Sequence, residues 1–160
     1  MMRTQKDYLR SGFFGAEDSL VSTTGLVAGI AAGSQDVKII LLAGLVAVAV
    51  EAVSMGAGQY LSQKAVDELD GEKVSPIGTG LMMLVSYAVA GAVPIIPMAF
   101  LPYPQSLFAS VAAALIALFG IGYIKGKLVK RPATRSGLEV LIVGGIATLI
   151  GLLVGVALQV

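Results

Sequence analysis

Five charge-poor apolar runs, at 13–33, 39–61, 77–101, 106–124 and 137–158, occupy most of the chain. Each is close to the roughly 20 residues that a helix needs to cross a bilayer. Inside lipid no water satisfies the backbone N–H and C=O groups, so runs of this length are expected to be helices that bond internally. The expectation is an all-α membrane protein with five transmembrane helices, forming a single transmembrane domain over 1–160 with short connections. Composition agrees, because 56% hydrophobic and 13% charged residues in 160 give more apolar surface than a water-soluble fold can hide.

The chain has no cysteine, histidine or tryptophan. Thiolate and imidazole zinc sites, disulfides, catalytic triads and haem ligation through histidine are therefore excluded. Nothing in the sequence suggests an enzyme. A metal would have to rest on carboxylates, methionine sulfur, amides, hydroxyls or backbone carbonyls, with no cofactor bound permanently. The net charge of +1 suggests no nucleic-acid partner.

Basic residues set the expected orientation, because cytoplasmic loops retain Lys and Arg. Arg3, Lys6 and Arg10 precede the first run, Lys64 and Lys73 follow the second, and Lys125, Lys127, Lys130, Arg131 and Arg135 follow the fourth. With five spans these share one side and leave Lys38 alone on the other, which puts the N-terminus in the cytoplasm and the C-terminus outside. Glu17 and Asp18 within the first run argue against a cleaved signal peptide. Ser136 followed by Glu139 reads as a capping box that opens the last helix, so Glu139 is expected to be structural.

Charges at membrane depth are costly and usually face a bundle interior or a pathway. Here they are Glu17 and Asp18 in the first run and Glu51 in the second. Helical spacing places Asp18, Ser22, Gly25 and Gly29 on one stripe, and Glu51, Met55 and Gln59 on another. From the helical rise, Asp18 and Met55 should sit at one level, with Glu51 about one turn deeper. Two carboxylates balance a divalent cation, and a thioether among oxygens favours a borderline metal such as Fe2+ over Mg2+ or Ca2+. Carboxylates also accept protons, so metal and proton would compete for one site. Asp18, Glu51 and Met55 are the expected metal ligands. Weaker candidates are Glu17, Gln59 and the acids of the connection 62–75, namely Asp67, Glu68, Asp70 and Glu72; that connection is read as an acidic turn or a cation-collecting patch.

Gly25, Gly29 and Gly33 form overlapping GxxxG steps, and Gly151 and Gly155 form another. These allow close helix approach, either within one chain or between two. Pro94 and Pro97 are expected to bend the third helix and free the carbonyls of Ala90 and Val93.

Four stretches, FFGAEDSLVSTTGLVAG (13–29), VSMGAGQYLS (53–62), VSYAVAGAVPIIP (85–97) and RSGLEVLIVGGIATLIGLLVG (135–155), together resemble the vacuolar iron transporter family. The chain looks like a short member that lacks the family's cytoplasmic metal-binding domain. The resemblance implies a homodimer of five-helix protomers in membrane lipid, exporting cytosolic Fe2+, and in some members Mn2+, in exchange for protons through a path at the dimer interface. It also implies that Asp18 and Met55 line that path. Two positions depart from the family: the carboxylate of plant-type members would fall at Ala47, whereas Glu51 stands where glycine is usual, and the glutamate of the bacterial motif is Gln59 here. A non-transporting module anchoring a metal-storage or oxidase partner, and an exporter of a small organic cation, are the alternatives. A prokaryotic cell membrane is the default location, with a vacuole-type membrane as the other choice.

Overall fold

The computed structural model describes residues 3–71 and 74–158. Among them are five helices and no strand: α1 (Arg3–Ser34), α2 (Val37–Asp70), α3 (Pro76–Phe100), α4 (Gln105–Leu128) and α5 (Ala133–Ala157). Helices α2 to α5 are long and apolar enough to cross a membrane. Helix α1 is also long enough, but its acids, serines and threonines keep it below the hydropathy of the other four.

Local chemistry explains most of the boundaries. Asp36 caps α2 by accepting the Lys38 N–H at 2.8 Å, and α2 ends at Gly71, whose φ of 69° is left-handed and whose N–H bonds back to Asp67. Ser75 caps α3 by accepting the Gly78 N–H at 3.1 Å, with Pro76 in the first turn. Helix α5 begins one turn earlier than the capping-box reading places it. Pro132 precedes its first residue, Ser136 is buried inside the helix, and Glu139 pairs with Arg135 at 3.4 Å instead of capping.

The expected turn at 62–75 is also revised. Helix α2 continues through Asp70, so Asp67 and Glu68 lie on a helix, Asp70 ends it, and Glu72 lies outside the described residues. At 1.5 Å per residue the 34 residues of α2 run about 51 Å, well beyond the ~30 Å hydrocarbon layer. The 32-residue α1 likewise overhangs at its start, beside the end of α2.

Helix α1 lies at the centre. It touches all four others, whereas α2 touches only α1 and α3, and α5 only α1 and α4. The surrounding ring α2–α3–α4–α5 is therefore open between α2 and α5. This central position is why α1 tolerates polarity: Ser11, Ser19, Thr23 and Thr24 are buried beneath its neighbours, and the Ser11 and Thr24 hydroxyls bond their own helix one turn back.

Small residues decide how closely the helices approach. Helix α4 buries Ser106, Ser110, Ala114, Leu118, Gly122 and Gly126, every fourth residue, so a slanting ridge of mostly small side chains winds along its inward side. The glycines of α1 and α5 meet within one chain: a Cβ on Gly29 would stand 2.7 Å from the Gly151 carbonyl oxygen, and one on Gly33 would stand 3.1 Å from that of Gly155. Of the two uses open to these GxxxG steps, packing inside the protomer is the one realised. The same pairings show that α1 and α5 run parallel.

Two apolar clusters fill the interior. One joins Val27 and Ala31 of α1 to Ile40, Val48, Ile95 and Met98; the other joins Leu20 to Ala90, Ala114, Leu118 and Val140. Large apolar side chains such as Leu42, Phe108, Ile116, Leu149 and Leu153 point outward, where lipid and not water is the suitable neighbour. Pro94 and Pro97 do lie inside α3, and the Pro94 carbonyl accepts a 2.6 Å bond from Ser110 of α4.

Candidate functional site

Beside the opening between α2 and α5, Asp18 and Ser22 of α1 are partly exposed, and Glu51 of α2 meets this stripe at Ser22. Asp18 is half-buried on α1. Ser22, one turn further along α1, donates to the Glu51 carboxylate at 3.4 Å. Glu51 is thus at the level of Ser22, about one turn deeper than Asp18, in the order that the helical rise predicts.

Glu51 has a second and tighter donor. The Tyr87 hydroxyl of α3 bonds the same oxygen, Oε2, and lies 2.8 Å from the Ser22 hydroxyl. Tyr87 is 1% exposed, the largest fully buried side chain among the described residues. A buried tyrosine needs a partner for its O–H, and a carboxylate is a strong one. The Tyr87 main-chain carbonyl is fixed as well, accepting a 2.7 Å bond from Ser19 of α1. Three helices therefore converge on one carboxylate: α2 carries it, α1 and α3 hold it.

Met55 is half-buried one turn along α2 from Glu51, on the same face, and Gln59 follows one turn later. The sequence places Asp18 on one helix stripe and Glu51 and Met55 on another, with Asp18 and Met55 at one level; the structure sets Glu51 against Ser22, one turn from Asp18 on α1. Among the described residues no three carboxylates gather into a cage for a metal ion. Along α2 the Glu51 carboxylate is followed by a thioether and an amide on the same face.

Glu17 has a different setting. It accepts an ion pair from Lys125 of α4 at 2.5 Å, with the two side chains 23% and 33% exposed. A paired ammonium satisfies this carboxylate and makes it a poor ligand for a second cation. The pair borders a cleft of about 360 Å3 between α1, α4 and α5, lined also by Phe14, Asp18, Glu139 and Val143. Asp18 thus lines this cleft beside the Glu17–Lys125 pair. Asp67 and Glu68, near the end of α2, have other settings. Gln63 donates to Asp67 at 2.9 Å, and Glu68, one residue further round the helix, is exposed.

Tyr87 and Lys125 are the residues that sequence reasoning did not single out. A tyrosine in mid-span was a usable signal, because its hydroxyl must find a polar partner inside the membrane. Lys125 gave none, since a lysine at the end of an apolar run serves equally well as a topological charge.

Comparison with known proteins agrees with the architecture. The sequence profile of the VIT family matches residues 9–72 and 64–156, two pieces that meet at the end of α2. The chain is 32% identical over 155 residues to vacuolar iron transporter homolog 3 of Arabidopsis thaliana, covering 88% of this chain and 78% of that protein. It is 31% identical over 170 residues to vacuolar iron transporter homolog 2 of Oryza sativa subsp. japonica, covering 94% and 89%. With vacuolar iron transporter 1 of Tulipa gesneriana it shares 24% over 209 positions, covering 91% and 85%. That alignment is longer than this chain, so stretches of the tulip protein face no residue here.

Proposed function

The chain belongs to the VIT family, and from that premise we propose that it transports Fe2+, and with it Mn2+, out of the cytoplasm in exchange for protons. Asp18, Glu51 and Met55 carry the ion. The observation that supports this most is the Glu51 carboxylate held by Ser22 of α1, one turn from Asp18, beside the gap between α2 and α5. Charges are placed there at a cost, and acids at that depth are suited to a divalent guest that leaves again.

The absence of imidazole and thiolate fits transport better than storage, because oxygen donors and a thioether hold Fe2+ less tightly and release it more readily. When protons reach the same carboxylates they displace the metal, which is the physical basis of exchange. A two-fold dimer supplies what one protomer lacks: a second copy facing the gap closes the path and doubles the ligands. The basic termini of α1 and α4 and the overhanging end of α2 lie on the cytoplasmic side. A cell or vacuole-type membrane suits such a carrier.

The test is flux of Fe2+, Mn2+ and Zn2+ into proteoliposomes across an imposed pH gradient. Asp18→Asn and Glu51→Gln are each expected to lower Fe2+ flux at least about tenfold while the dimer stays intact on size-exclusion chromatography. Undiminished flux in both variants would remove the carboxylate pair from the mechanism. No flux from the unaltered protein would favour a module that anchors a partner.

A further inference from the structure

The Glu51 carboxylate is the only proposed ligand with hydroxyl donors from two other helices, and both donate to the same oxygen. A glutamate in a helix has three rotatable bonds, and the groove that it faces is open. Without restraint its carboxylate would sample several rotamers, and a cation binding it would have to order it first. The Tyr87 hydroxyl is a fixed anchor, because the ring is buried and the main chain is held by Ser19 across the α1–α3 contact. That contact is close in its own right: a Cβ on Gly91, one turn beyond Tyr87, would stand 2.7 Å from the Ser19 hydroxyl. The tyrosine therefore cannot swing away with the carboxylate.

We propose that Tyr87, assisted by Ser22, is a positioning residue of the metal site: its hydroxyl occupies Oε2 of Glu51 and presents Oε1 to the divalent cation. The role rests on the reading of Glu51 as a ligand. Preorganisation of this kind acts on binding and not on the rate of passage, because the restraint is already in place before the ion arrives. The hydroxyl also excludes the cation from one oxygen, so Glu51 binds through one oxygen only and releases without breaking a chelate.

The probe is Mn2+, measured both as flux in proteoliposomes and by calorimetric titration of the purified full chain in detergent. Tyr87→Phe keeps the ring and removes the hydroxyl. It is expected to raise the Mn2+ KM and Kd about three- to tenfold while the maximal rate stays within about twofold. Ser22→Ala, which removes the weaker donor, should shift both constants about twofold in the same direction and stands in for Tyr87→Phe should that variant not fold. The deciding measurement is the double variant. On a Glu51→Gln background, Tyr87→Phe should add nothing to the loss of Mn2+ affinity, because the group being positioned is already changed.

Losses that multiply on the two backgrounds would make Tyr87 a packing residue and overturn the proposal. An unchanged Kd in Tyr87→Phe and Ser22→Ala, with Glu51→Gln still weakened, would overturn it while leaving Glu51 as a ligand. An unchanged Kd in Glu51→Gln would overturn both.

Discussion

Lys125 shows how one side chain can decide what its neighbours do. Its ammonium holds Glu17 at 2.5 Å, whereas Asp18, the next residue, has no part in that ion pair. Replacing it by methionine keeps the stem and removes the charge. Because both partners are partly exposed, the loss should be modest, about 1 kcal/mol, seen as a fall of a few degrees in the thermal unfolding midpoint in detergent. Lys125→Met combined with Glu17→Gln should recover much of that fall, since no carboxylate is then left unpaired. A double variant as unstable as the two losses added would mean that the pair contributes nothing as a pair. Asp18 and Glu51 are legible in the sequence because a carboxylate in an apolar run stands out against its surroundings. The partners of Glu17 and Glu51 are not legible, because they depend on which helices are neighbours, and Tyr87 and Lys125 lie 36 and 108 residues away along the chain from the groups they bond.

At the scale of helices the controlling quantity is the distance between backbones. Gly29 lies where α1 and α5 press together, and a methyl group there would reach 2.7 Å from the Gly151 carbonyl oxygen, so the pair must separate. Gly29→Ala is therefore expected to destabilise the protein by about 2 kcal/mol, from overpacking and lost contact. Gly120 on α4 is the control, because a Cβ there meets nothing within 4 Å, and Gly120→Ala should not destabilise the protein but raise its stability by up to about 1 kcal/mol through helix propensity. Chemical denaturation in detergent, monitored by circular dichroism, distinguishes the two; equal effects would show that the approach of α1 to α5 is not held by glycine. The existence and number of the helices follow from run length alone, since lipid leaves few alternatives. Their ends do not: α1 starts ten residues before its apolar run and α2 outlasts its own by nine, because charged and amphipathic residues continue a helix as readily as apolar ones once it has left the hydrocarbon. The capping-box reading failed for a related reason. Pro132 in extended conformation had already started α5, so Ser136 was left to pack inside it.

For the molecule as a whole, the open seam between α2 and α5 is what the proposed dimer must close. The glycine stripes that would serve dimerisation in an isolated helix are used up inside the protomer, where α1 meets α5, so the partner has to dock elsewhere. On the outward face of α2, Val46, Val50 and Val53 are exposed. In a two-fold interface a residue near the axis faces its own copy, which makes single-cysteine cross-linking diagnostic. The chain contains no cysteine, so a single introduced thiol has no competitor. Val50→Cys or Val53→Cys, oxidised in membranes, is expected to give a disulfide-linked dimer that dithiothreitol reverses, since Cα atoms within about 7 Å can be bridged. Phe108→Cys, on the outer face of α4, is the control and should remain monomeric on a denaturing gel. Cross-linking through Phe108→Cys with none through α2 would place the interface on the far side of the bundle, and a path completed at the seam would then have to be built by the single protomer. Cross-linking through α2 would put two Asp18–Glu51 pairs on either side of one axis, with enough carboxylates to strip a divalent ion of most of its water.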